Sequence, residues 1–131
     1  MRKTIRDLMA GGISAMAAES AGWTAKYGVA AAGDSQTTAT DIIHTVSVVT
    51  SATGSTADCL ELPPAPVAIG DGADICVIIN ESGATLNVYP STGQKIDDGS
   101  ANAAATVANN AVAIYFGLFD GTVGHWWEVE V

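Results

Sequence analysis

The chain has 131 residues, of which 48% are hydrophobic and only 15% charged; five Lys+Arg stand against 14 Asp+Glu, a net charge of −9. That length fits one domain. So acidic a balance argues against a nucleic-acid backbone or an anionic membrane as partner, and the positive mean hydropathy argues against disorder. No apolar run approaches the roughly 18 residues of a spanning helix.

The charge is divided unevenly. Residues 1–26 hold Arg2, Lys3, Arg6 and Lys26 against Asp7 and Glu19, a net +2, whereas residues 27–131 hold Lys95 alone against 12 acids, a net −11. This describes a weakly basic arm on a strongly acidic body. The body takes its polarity from Ser, Thr, Asn and Gly, which cost little to desolvate and suit a surface packed against copies or neighbours.

At the amino end, Met1-Arg2-Lys3 followed by Leu8-Met9-Ala10 and Ala15-Met16-Ala17 mimics a secretory signal. Asp7 interrupts it and Gly11-Gly12 weaken its short apolar stretch, so no signal peptide is expected. Ile5, Leu8, Met9, Ile13 and Met16 instead fall on one face of a helix. Thr4 and Asp7 have the spacing of a capping box. The paired glycines cost such a helix about 2 kcal/mol relative to alanines, so it needs something to pack on. Two readings stand side by side: an anchor docking on another subunit, in which Arg2, Lys3 and Arg6 take part, or a terminal helix packed on its own domain. Residues 20–40, rich in Gly, Ala, Ser and Thr around Trp23 and Tyr27, read as a linker.

From residue 41 the period changes to two. Residues 42–50 are rich in β-branched side chains and end in a turn-rich loop. Leu60 and Leu62 precede Pro63-Pro64. Residues 75–79 are apolar on both sides, with Ile75, Val77 and Ile79 in one row. Leu86 and Val88 alternate with Asn87 and Tyr89, and Val112, Ile114, Phe116 and Leu118 with Ala113, Tyr115 and Gly117. The Ala-rich stretch 101–108 reads as strand and loop. In the last strand, Trp127, Val129 and Val131 share one side and Trp126, Glu128 and Glu130 the other. The valine-rich side is expected in the core, with Leu60, Leu62, Leu86, Val88 and the rows through Ile75 and Val112. Tyr89, Tyr115 and Trp126 are then outward rings. A subunit interface ranks first for them, cover by the linker second, and a glycan platform third. The pattern predicts an all-β fold: an antiparallel β-sandwich, jelly-roll-like, or a small barrel over residues 40–131, preceded by an arm and linker over 1–39.

Several motifs now line up: Leu60-Glu61-Leu62-Pro63, a Gly-Asp turn, Val77-Ile78-Ile79-Asn80, Leu86-Asn87-Val88-Tyr89-Pro90, Gly93, Ile96, Asp120-Gly121 and Trp126-Trp127. Their order resembles that of small β-sandwich virion proteins of tailed bacteriophages, in which a Leu-Pro strand end, a V-x-N strand, a V-Y-P strand and a final D-G-x-W hairpin recur. Here the terminal Trp is doubled and the hairpin longer. The resemblance covers a little over half the chain and rests on structural motifs. It implies a trimeric head-decoration (cement) protein on the outer surface of the virion head, assembled in the host cytoplasm, with the major capsid protein and its own copies as partners. The alternative it carries is a receptor- or glycan-binding module of a tail fibre or spike.

Catalysis has little support. His44 and His125 have no nucleophile at a useful spacing, so no catalytic residue is assigned. Cys59 and Cys76 fit neither a zinc site nor a redox pair, and buried free thiols are expected rather than a disulfide. Asp71-Gly72-Ala73-Asp74 and Asp97-Asp98-Gly99 read as solvated turns, so neither metal nor cofactor is expected.

Overall fold

In the computed structural model, which describes residues 23–131, the alternating runs form ten strands. They are β1 (Ala25–Ala30), β2 (Thr40–Asp41), β3 (Val46–Ser51), β4 (Cys59–Glu61), β5 (Ala73–Asn80), β6 (Leu86–Tyr89), β7 (Lys95–Ile96), β8 (Ala105–Val107), β9 (Val112–Phe119) and β10 (Gly124–Glu130). A 3-10 turn, Gln36–Thr38, links β1 to β2. One sheet has six strands in the order β1-β3-β5-β9-β10-β7; the other has four, β2-β4-β6-β8. The fold is an all-β, open sandwich.

Its strand order departs from the antiparallel, jelly-roll-like expectation. Successive strands from β1 to β6 alternate between the sheets, so β1, β3 and β5 run parallel, as do β2, β4 and β6. Each strand pair therefore makes one turn of a coil, and three turns stack. A strand that returns to its sheet only after crossing the other sheet arrives in the same direction as its predecessor. Antiparallel pairing begins late, where β9 lies against β5, β10 against β9, and β8 against β6. Residues 25–39 are not a linker. β1 is an edge strand of the larger sheet, because even its weak β-formers can complete a ladder along β3.

The core lies between the sheets. Leu60, Leu62, Leu86, Val88 and Val107 from the smaller sheet meet Val49, Ile78, Ala113, Tyr115 and Trp126 from the larger. Two polar side chains buried near this core, Asn80 and Gln94, are paired. Asn80 donates from Nδ2 to the carbonyls of Ala84, Val107 and Ala108 at 2.8, 3.0 and 3.1 Å, and its Oδ1 accepts from Ser82 N and Oγ. Gln94 pairs with Ala65 as a backbone would, accepting from its N–H at 2.8 Å and donating to its carbonyl at 3.0 Å.

Candidate interaction face

The outward side of the six-stranded sheet is apolar. Register aligns Ala25, Val46, Val77, Ile114 and Val129 in one file across five strands, and Tyr27, Val48, Ile79, Val112 and Val131 in the next. Ile75, Phe116 and Trp127 form a third file. No charged side chain interrupts these files. With strands about 4.8 Å apart and same-side residues about 7 Å apart, the surface measures roughly 19 by 14 Å. Phe116 is 46% exposed, Val129 51%, Tyr27 74% and Val131 77%. The outward side of a sandwich sheet is ordinarily polar, so an unbroken apolar one marks a contact surface.

The two sides of these strands are the reverse of what their alternation predicts. Trp127, Val129, Phe116 and Leu118, expected in the core, are exposed, and Ile75, Val77, Ile79, Val112 and Ile114 are half-buried on the same outward side. Tyr115 and Trp126, expected outward, are completely buried. The reason is ring size. Tyr115 and Trp126 fill space between the layers that valine cannot, and each finds a partner for its polar tip. Trp126 Nε1 donates to the Pro63 carbonyl at 3.2 Å, and Tyr115 Oη donates to Glu128 Oε1 at 2.9 Å. Burial and the neighbouring Glu128 push the Tyr115 hydroxyl far above its ordinary range, so it stays a donor. Tyr89 is half-buried on the outward side of the smaller sheet, away from these files. Leu60, Leu62, Leu86 and Val88 are buried, as expected. The proposed anchor residues Arg2, Lys3, Ile5, Arg6, Leu8, Met9, Ile13 and Met16 lie outside the described residues.

A polar cluster borders the face where β7 joins β10. The rings of His125 and Trp127 stack with centroids 3.8 Å apart and planes 14° from parallel. His125 Nδ1 lies 3.0 Å from Asp120 Oδ2 and Nε2 lies 2.8 Å from the Asp97 carbonyl, while Lys95 Nζ is 3.7 Å from the same carboxylate oxygen. The backbone N–H groups of Val123 and Thr122, then the contact with His125, hold the Asp120 carboxyl well below the usual carboxylate range. This border fixes Trp127 at the edge of the face. A sequence signal for the face existed in the rows of alternate apolar residues, but the same rows describe a core.

Asp71, Asp74 and Asp97 gather no metal-binding cluster: among the described residues no three His, Cys, Asp or Glu side chains come together in that way. Comparison with family models, curated proteins and solved structures finds no match to the chain.

Proposed function

We propose that this chain is a non-enzymatic structural protein of a virion, a decoration protein that packs on the outer surface of a phage head as a trimer. The observation that carries the reading is the three uncharged, apolar files on the outward side of the larger sheet. Covering such a surface is favourable by about 25 cal/mol for each Å² removed from water. The acidic body repels other copies of itself over most of its surface. Contact across the uncharged files meets the least of that repulsion. The motif order, which resembles that of virion β-sandwich proteins, supports this setting. Many modest contacts repeated over a shell then add up to firm attachment.

The test is light scattering on the purified chain, followed by co-sedimentation with isolated phage heads and isolated tails. A trimer that pellets with heads is the expected result. A monomer that pellets with neither overturns the reading. Pelleting with tails alone transfers the chain to a fibre or spike, where, with Tyr115 and Trp126 buried, exposed rings such as Tyr27 and Trp127 are the ones a glycan could stack on.

A further inference from the structure

On β3, Ser47 and Val49 share the inward side, and Val49 is fully buried in the core, as that side of a sandwich requires. Ser47 breaks the pattern. It is 1% exposed yet carries a hydroxyl, and its register partner on β1 is Lys26. Both line a cleft of about 240 Å³ between β1 and β2, the edge strands of their respective sheets. Asp41 and His44 line it too, with Ile42 buried in its wall and Ile43 72% exposed at its rim. The polar groups of this cleft are not used by the fold. Ser47 Oγ and His44 Nδ1 are buried without a hydrogen-bond partner among the described residues. Among the same residues neither Lys26 nor Asp41 forms a salt bridge. Buried polar atoms are nearly always paired, so two orphans in the wall of one cleft mark a place where a further polar group belongs.

We infer that this cleft is a binding site for a small neutral polyol, a single sugar ring. Size, charge and pairing select that class. The volume lies below the roughly 300–1,000 Å³ of a drug-sized pocket, so it takes one ring rather than a chain of them. Lys26 and Asp41 carry opposite signs on one lining, and residues 27–131 carry a net −11. An anion is repelled by that body and by Asp41, and a cation has Lys26 against it. A neutral ligand meets neither penalty, and its hydroxyls donate to Asp41 and accept from Lys26. A hydroxyl also both donates and accepts, so it completes Ser47 Oγ and His44 Nδ1 whichever tautomer the imidazole adopts. Ile42 and Ile43 give the C–H edge of a ring an apolar wall. The cleft lies between the sheets, whereas the outward files occupy the opposite side of β1 and β3. The inference therefore does not depend on what covers those files.

The experiment records amide nitrogen–proton spectra of the full chain while glucose, galactose and N-acetylglucosamine are added singly, up to tens of millimolar. At least one of them is expected to give saturable shifts, with a millimolar Kd, centred on residues 26–30, 40–44 and 47. Ser47→Ala is expected to weaken that binding about fivefold, the share of one net hydrogen bond. It should leave the melting temperature unchanged, because Ser47 Oγ has no partner among the described residues to lose. A lower melting temperature with unchanged affinity would make the hydroxyl structural and overturn the inference. So would the absence of saturable shifts with all three sugars, or shifts confined to β9 and β10. Shifts of the same size at residues 40–47 with acetate, methylammonium or glycine at equal concentration overturn the neutral class and the inference with it.

Discussion

The indole of Trp126 packs against Gly117, its register partner on the adjacent strand, so closely that a Cβ at residue 117 would sit 2.8 Å from Cε3 and Cζ3 of the ring. The glycine is the recess that lets the ring turn inward. Gly117→Ala is therefore expected to displace Trp126 and to destabilise the fold by about 1–3 kcal/mol, the usual cost of overfilling a core. The check is denaturant unfolding together with tryptophan fluorescence, which shifts to the red as the indole loses its dry site. An unchanged midpoint would show that the ring has room to move.

That glycine also explains what sequence alone could and could not say. Alternation in β5, β9 and β10 identified the strands and sorted their residues correctly into two sides. It did not say which side faces in, because both sides are apolar enough for a core. The deciding facts are steric and non-local: Gly117 opposite Trp126, and Pro63 offering a carbonyl to the indole. Parallel coiling was hidden for a related reason. Its turns are unequal, β1 to β3 advancing by 21 residues and β3 to β5 by 31, so no repeat shows in the sequence. β1 was missed because Ala-Lys-Tyr-Gly-Val-Ala has little strand preference of its own, and β3 imposes the conformation. The smaller sheet was easier, since Leu60, Leu62, Leu86 and Val88 have polar or small neighbours and only one side fit for burial.

Asn80 ties the end of β5 to the loops on either side of it by donating to three carbonyls. Asn80→Asp keeps the shape but directs a carboxylate oxygen at those carbonyls with nothing to donate. A loss of about 3 kcal/mol is expected at neutral pH. Protonation restores a donor, so the bound proton favours the folded state and the variant regains stability as pH falls. Thermal melts of the variant at neutral and mildly acidic pH measure this. A variant that loses stability in parallel with the parent chain over that range contradicts the assignment.

Glu128 is held above the ordinary glutamate range by burial, against which the Tyr115 hydroxyl works, and then by repulsion from Asp97 and Glu130. A carboxyl raised in the folded state costs stability above that folded value and stops costing it as pH falls toward the unfolded value, 4.5. Glu128→Gln keeps an acceptor for Tyr115 and sheds the charge. It is expected to raise stability at pH 7 by less than about 1 kcal/mol, the modest scale of half-exposed charges. The gain should vanish on acidification. A loss at pH 7 would mean that the charge itself holds Tyr115.

Cys59 and Cys76 are buried, each 1% exposed, and no disulfide joins them. Burial, reinforced by Asp58 and Asp34, pushes the Cys59 thiol up to about 11, so little thiolate exists at pH 8. Neither thiol is expected to react with a thiol-specific disulfide reagent within minutes in the native chain, and both should react at once in guanidinium without reductant. Fewer than two reactive thiols after unfolding would reveal a disulfide.

The outward files differ from the core in what they contribute. Phe116 and Val129 flank the middle of the face, each about half exposed, so lysine at either position removes little buried contact within the chain. Phe116→Lys with Val129→Lys is expected to cost about 1 kcal/mol or less of stability, since partly exposed sites rarely cost more. Its effect on association should be far larger, because each lysine must be stripped of water when a partner covers the face. Light scattering on the variant should find a smaller assembly than the parent forms at the same concentration, with far-ultraviolet circular dichroism unchanged. Gly117→Ala gives the opposite pattern, acting on stability first, and so separates a weakened interface from a weakened fold. If the double lysine variant assembles as the parent does, the contact surface lies elsewhere on the sandwich.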